Sequence, residues 1–166
     1  YYFTREEIWA ERTAELIDGW FIDPAYRMNP HVRFGQAIPG ICSGRDAGII
    51  EFHFLIQMMD AVKMIALSPH WTTARDHALK EWMQQFLCWL RDSKIGNDEK
   101  NAPNNHGSWY LTLCLRLAIF CSCRQWVGEY IDLIEQRIST QIAADGSLPA
   151  ELTRTQPWHY TIFGAS

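Results

Sequence analysis

TARDHALKEWMQQFLCWLRD, residues 73–92, is the stretch that determines the expected fold class, because its apolar side chains recur at helical spacing. One face of the helix that it predicts is uniformly apolar and carries Leu79, Trp82, Met83, Phe86, Leu87 and Leu90. Gly96 follows shortly afterwards and favours a helix end. We therefore predict a core helix from Thr72 or Thr73 to Asp92, with its aromatic residues engaged in packing.

Helical patterns also occur upstream of this stretch. Thr4 and Glu7 form a T-x-x-E capping box, which predicts a first helix that begins at Thr4 and ends near Asp23-Pro24. Residues 23–40 contain three prolines, so we expect a long, ordered and packed loop there. A buried helix follows over about residues 47–67. Its polar residues His53, Gln57 and Asp60 share one stripe, which either faces solvent or lines a cleft.

Downstream, the same alternation of helix and loop continues. Residues 97–107 are polar and are predicted to form a loop. Ser108 is expected to cap the following helix, which runs to about Phe120. A further helix is predicted from about residue 125 to residue 142. Only residues 158–163 have a pattern compatible with an extended strand. The sequence as a whole predicts an all-α protein.

Composition narrows the possible functions. The 166 residues are 48% hydrophobic and 20% charged, which is typical of one globular domain. The net charge is −4, and the sequence contains no dense run of Lys and Arg. We therefore expect no nucleic-acid partner, and the charged residues within the apolar run 49–67 argue against a membrane span. The five cysteines do not form a disulfide pattern. No metal-ligand spacing is present, so we expect no metal and no cofactor.

The first candidate site is NNHGSWY, residues 104–110. Asn105 can donate its amide to an anion or a carbonyl group, and histidine, here His106, is the side chain that exchanges a proton near neutral pH. Taken alone, the string also suits a turn that starts a helix, because Asn and Ser are common caps. A second polar and aromatic string, ELTRTQPWHY at residues 151–160, adds Arg154, His159 and Tyr160 and favours a functional site.

Four strings together resemble the alginate-lyase superfamily of polysaccharide lyases. They are WFIDPAYRMNPHVRFGQAIPG (20–40), GRDAGII (44–50), NNHGSWY (104–110) and DGSLPAELTRTQPWHY (145–160), in that order. The resemblance implies antiparallel helix pairs that form part of an (α/α) toroid, and cleavage of a uronate-containing polymer such as alginate by β-elimination. It also implies one domain over residues 1–166, truncated at its N-terminus, and a secreted or periplasmic location, although this chain contains no signal peptide.

The resemblance assigns catalytic roles to Asn105, His106, Arg154 and Tyr160. Elimination removes a weakly acidic proton beside a carboxylate, so Asn105 and Arg154 suit neutralisation of that carboxylate. His106 and Tyr160 are the candidate base and acid, and a tyrosine that acts as a base needs a nearby cation. The candidate substrate-binding residues are Gln36, Arg45, Trp109, Trp158 and His159. The expected partner is an acidic polysaccharide, and the alternative is a non-catalytic helical fragment that binds such a polymer or a protein.

Overall fold

The computed structural model describes residues 1–165, and within that range it contains helices and no β-strand. The all-α prediction is therefore confirmed. The helices are α1 (Glu7–Ile17), which continues into a π-helical turn (Asp18–Ile22), a 3₁₀-helix (Asp46–His53) that leads into α2 (Phe54–Ile65), α3 (Thr73–Asp92), α4 (Lys94–Lys100), α5 (Asn105–Phe120), α6 (Arg124–Gln141), α7 (Pro149–Leu152) and α8 (Pro157–Ala165).

Helix α3 lies at the centre of the core, as its periodicity predicts. All six residues of its apolar face are buried, and Thr72 caps its first turn by accepting a hydrogen bond from the Arg75 backbone. Two buried polar groups attach neighbouring segments to this helix. Trp82 Nε1 donates to Met28 O at 2.8 Å, and Tyr110 Oη donates to Leu90 O at 2.9 Å. The first of these bonds attaches the long loop after α1 to the core at Met28, and Val32 of the same loop is buried.

Helices α5 and α6 form an antiparallel pair joined by residues 121–123. Ser122 has a positive φ of 59°. The backbone N–H of Cys123 donates to Ala118 O at 2.8 Å and that of Ser122 donates to Ile119 O, which is the Schellman arrangement that ends a helix. This turn reverses the chain over α5, the helix whose first residues belong to the candidate site.

Three of the expected helix boundaries are wrong. Thr4 does not cap α1, because Arg5 adopts a positive φ of 63° and takes the backbone out of the helical path, and α1 begins at Glu7. The 3₁₀ geometry of residues 46–53 delays the start of α2. Ser108 does not cap α5, because Asn104 already does so by accepting a hydrogen bond from the His106 backbone at 3.2 Å.

Two expected non-helical segments are also helical. Residues 94–100, which include part of the expected polar loop, form α4, capped by Ser93. Residues 158–163 belong to α8 and are not extended, since Pro157 occupies its first position, where a proline is preorganised for a helix. Both short helices supply residues to the candidate site. Within residues 1–165, no helix combines the length and the apolar character that a membrane span requires.

Candidate functional site

The first turn of α5 is held in place by a cation from α6. Arg137 donates through Nη2 to Ala102 O at 2.5 Å and to Asn104 O at 2.6 Å, and through Nε to Ser108 Oγ at 2.9 Å. Burial lowers the pKa of Arg137 below its ordinary value, yet arginine stays protonated at neutral pH. A Cβ at Gly107 would lie 2.6 Å from Arg137 Nη1. The glycine of NNHGSWY therefore leaves room for the guanidinium that fixes the loop before α5.

Asn105 is paired with a carboxylate that the sequence did not single out. Its backbone N–H donates to Glu151 Oε1, and its Nδ2 donates to Glu151 Oε2 at 3.0 Å. Both residues are almost fully inaccessible, with exposures of 1% for Asn105 and 0% for Glu151. The amide nitrogen keeps a second hydrogen, and within residues 1–165 Asn105 Oδ1 has no hydrogen-bond partner. The amide of Asn105 is thus oriented by Glu151 and only partly satisfied.

Arg154 and Tyr160 join the same set of contacts. Arg154 Nη1 lies 3.6 Å from Glu151 Oε2, beyond hydrogen-bonding distance, and this buried nitrogen has no hydrogen-bond partner in the described part of the chain. The guanidinium carbon of Arg154 lies 3.6 Å from the centre of the Tyr160 ring. Such stacking is a cation–π contact. Glu151 therefore contacts two of the four residues that the resemblance assigns to catalysis, Asn105 and Arg154, and Arg154 contacts a third, Tyr160.

The fourth residue, His106, binds a second buried carboxylate. Its Nδ1 lies 2.8 Å from Glu99 Oε1, and the side chains are 17% and 2% exposed, respectively. Glu99 lies on α4, in the region where the sequence predicts a flexible loop, so sequence reasoning missed it. Glu151 could have been identified from the sequence, because it lies three residues before Arg154 in the same polar string.

An aromatic cluster lies between α5 and α8 and consists of Trp109, Phe163, His53 and His159. Trp109 stacks on Phe163 with ring centres 5.1 Å apart, and its Nε1 donates to Phe163 O at 3.0 Å. The His53 ring lies 5.3 Å from Trp109, and the His159 ring is parallel to Phe163 at 6.5 Å. His53 is thus half-buried in packing. Trp158, by contrast, is 77% exposed.

Gln36 and Arg45 are bound to each other. Arg45 donates to the backbone O of Gln36 at 3.1 Å and to its Oε1 at 2.7 Å, and Gln36 Nε2 donates to Glu51 at 2.8 Å. None of these bonds, within residues 1–165, reaches the catalytic candidates. Gln36 and Arg45, together with Glu51 of the 3₁₀-helix, therefore form a polar group that is separate from the catalytic candidates.

The remainder of the polar stripe on α2 has a structural role. Asp60 forms a salt bridge with Arg116 of α5, whose hydrogen bond lowers the pKa of the carboxyl group, and a second one with Lys63 at 3.3 Å. Gln57 is exposed. Gln57 and Asp60 therefore face solvent, and Asp60 ties α2 to α5. Among the described residues, no group of three or more His, Cys, Asp or Glu side chains is arranged to hold a metal ion.

Comparison with known proteins gives a family and a fold. The family model described as "Alginate lyase" matches residues 1–166. The crystal structure of an alginate lyase from Bacteroides ovatus is similar, with 34% sequence identity and a TM-score of 0.95 over 99% of this chain. The chain spans only 44% of that protein. No curated protein matches the sequence. Since the alginate lyase fold is an (α/α) toroid, the prediction of part of such a toroid is confirmed.

Proposed function

The chain belongs to the alginate lyase family, and from this we propose that it carries the catalytic residues of a lyase that cleaves a uronate-containing polysaccharide by β-elimination. The observation that carries the proposal is that the buried carboxylate of Glu151 binds Asn105 and lies beside Arg154, which stacks on the ring of Tyr160. His106 is adjacent to Asn105 in the first turn of α5. The contacts of Glu151 therefore link the first turn of α5 to Arg154, which follows α7, and Arg154 in turn contacts Tyr160 of α8.

The reaction requires a base, an acid and hydrogen-bond donors that stabilise the substrate carboxylate. A base removes the proton from the carbon that bears the substrate carboxylate, and the electron pair of that bond forms a new carbon–carbon double bond. The bond to the glycosidic oxygen breaks, and an acid protonates the departing oxygen. Meanwhile the substrate carboxylate gains electron density, so donors that are already oriented toward it lower the barrier most.

Asn105 and Arg154 suit the role of charge neutralisation. Each retains donor capacity that its protein partners do not use, namely the second Nδ2 hydrogen of Asn105 and the hydrogens of Arg154 Nη1. Glu151 would repel a substrate carboxylate on its own. The positive charge of Arg154 offsets it, and Arg137 adds a second cation to the same region.

His106 suits the base and Tyr160 the acid. The Nδ1 atom of His106 is engaged by Glu99, so Nε2 is the nitrogen that is free to take a proton. The half-buried Tyr160 carries a hydroxyl that can protonate the leaving oxygen, and Arg154 stacks on the face of its ring. His159 is the alternative acid, since its ring is next to that of Tyr160, with centres 5.5 Å apart.

Turnover of alginate and of glucuronan by the full-length protein tests the proposal. The unsaturated product absorbs ultraviolet light, so elimination gives an absorbance that grows with time. We expect Tyr160→Phe to reduce that rate by about a hundredfold or more, because it removes a group that acts in the transition state. Tyr2→Phe, at an exposed tyrosine near the chain start, is the matched control. Binding of the polymers without any turnover would instead favour the non-catalytic alternative.

A further inference from the structure

From the contact between α4 and α5, we infer that Glu99 is a positioning residue that fixes the tautomer of His106. This inference rests on the proposed function, in which His106 Nε2 takes the proton from the substrate. Glu99 accepts a hydrogen bond from the N–H of Nδ1, so the proton of the neutral ring stays on Nδ1 and the lone pair is on Nε2. The carboxylate does not touch the substrate and acts through the histidine alone.

The geometry of the pair is specific. Glu99 Oε1 lies 2.8 Å from His106 Nδ1, and the Glu99 side chain is only 2% exposed, so water competes little for this bond. An ionised carboxylate only accepts hydrogen bonds, which requires Nδ1 to be the donor. Within residues 1–165, His106 Nε2 makes no hydrogen bond. The nitrogen opposite Glu99 is thereby left available for chemistry.

Helix α4 gives Glu99 a rigid base. Ser93 caps the helix by accepting a hydrogen bond from the Gly96 N–H at 3.0 Å, and a Cβ on Gly96 would lie 1.9 Å from Leu90 O, so α4 is closely packed against the end of α3. The Glu99 backbone carbonyl also accepts a bond from the Ala102 N–H at 3.1 Å. The carboxylate is therefore fixed relative to the start of α5.

A buried carboxylate also has a function during the reaction. Burial of a charge is unfavourable unless the charge is paired. When Nε2 takes a proton, the ring becomes a cation, and Glu99 forms an ion pair with it at the moment when the charge appears. A carboxylate that served only to attach α4 to α5 would fix the same tautomer, but its removal would change stability without lowering kcat.

The ¹⁵N imidazole spectrum of His106 in the full-length protein reports the tautomer without any need for activity. We expect Nδ1 to be protonated and Nε2 to be bare in the parent. Glu99→Leu, which keeps the size of the side chain but not the acceptor, should release the ring to the opposite tautomer. Glu99→Gln should be intermediate, because its amide oxygen still accepts. Asp98→Asn, at a carboxylate on the same helix that pairs with Lys94, should leave the spectrum unchanged.

The kinetic part of the experiment uses the same variants. We expect Glu99→Leu to lower kcat by about tenfold to a hundredfold with KM changed by less than about threefold, since the base is impaired and substrate binding is not. A parent spectrum with Nε2 protonated, or a Glu99→Leu protein with the parent tautomer and kcat, would overturn the inference. A tautomer switch in a protein that does not turn over any uronate polymer would support the role of Glu99 and refute the proposed function.

Discussion

Glu151 and Asn105 form a buried pair that joins two strings of sequence 46 residues apart. Both oxygens of the carboxylate are used, one by the backbone N–H of Asn105 and the other by its side-chain amide at 3.0 Å. Helix α8 closes over the same point, where a Cβ on Gly164 would lie 3.3 Å from Asn105 Cβ. The orientation of the asparagine amide is therefore determined by Glu151 of α7, and α8 packs against the same residue.

Glu151→Gln should reduce both stability and turnover. The neutral amide can accept only through one atom, so one of the two bonds from Asn105 is lost and a buried donor is left unpaired. We expect a loss of about 1 to 3 kcal/mol in the free energy of unfolding. Arg154 also loses its counter-charge. Thermal melts and elimination rates are the measurements, and Glu135→Gln, an exposed glutamate on α6, is the control. An unchanged melting temperature for Glu151→Gln would contradict the pairing.

Gly107→Ala should destabilise the start of α5. The added methyl group would meet Ala102 O at 2.5 Å and the Arg137 guanidinium at 2.6 Å, and the guanidinium cannot move without losing its bonds to the preceding loop. We expect a cost of about 1 to 3 kcal/mol, as for other overpacked sites.

Gly128→Ala on α6 is the matched control for this glycine. Nothing lies within 4 Å of a Cβ there, so the change should stabilise the protein by about 0.5 to 1 kcal/mol through helix propensity. Chemical denaturation of both variants measures the difference. Equal stabilities would show that Arg137 does not restrict the volume at Gly107.

The sequence predicts the buried face of α3 better than it predicts helix boundaries or tertiary pairing. The six apolar residues of α3 follow from periodicity, because a repeat near 3.6 residues directly reports a buried helix face. The start of α1 does not follow, since the left-handed backbone of Arg5 carries no composition signal. Glu99 and Glu151 are polar residues whose burial depends on partners elsewhere in the chain, so a pattern of hydrophobicity assigns them to the surface. The catalytic roles of Asn105, His106, Arg154 and Tyr160 stay predictions.

The cysteines should differ strongly in reactivity. Burial raises the pKa of Cys114 to about 12 and that of Cys121 to about 12, so at pH 8 each thiol is almost entirely protonated and a poor nucleophile. We expect iodoacetamide at pH 8 to modify Cys42, which is only partly buried, well before the fully buried Cys114. Mass spectrometry of peptides after timed labelling gives the order. All five cysteines should react in denaturant, and early labelling of native Cys114 would contradict its burial.

Arg154→Lys should impair turnover even though it preserves the charge. The planar guanidinium stacks on Tyr160 with its carbon 3.6 Å from the ring centre and also lies beside Glu151, and a lysine ammonium cannot make both contacts. We expect kcat to fall by about tenfold or more, since the donors that are proposed to neutralise the substrate carboxylate lose their orientation. Arg116→Lys is the matched control, because Arg116 pairs with the exposed Asp60 at the surface, where an ion pair is worth about 1 kcal/mol at most. Elimination rates and thermal melts of both variants separate effects on catalysis from effects on folding. Arg116→Lys should retain the parent rate. An Arg154→Lys protein with the parent rate would show that a positive charge alone is sufficient at this position.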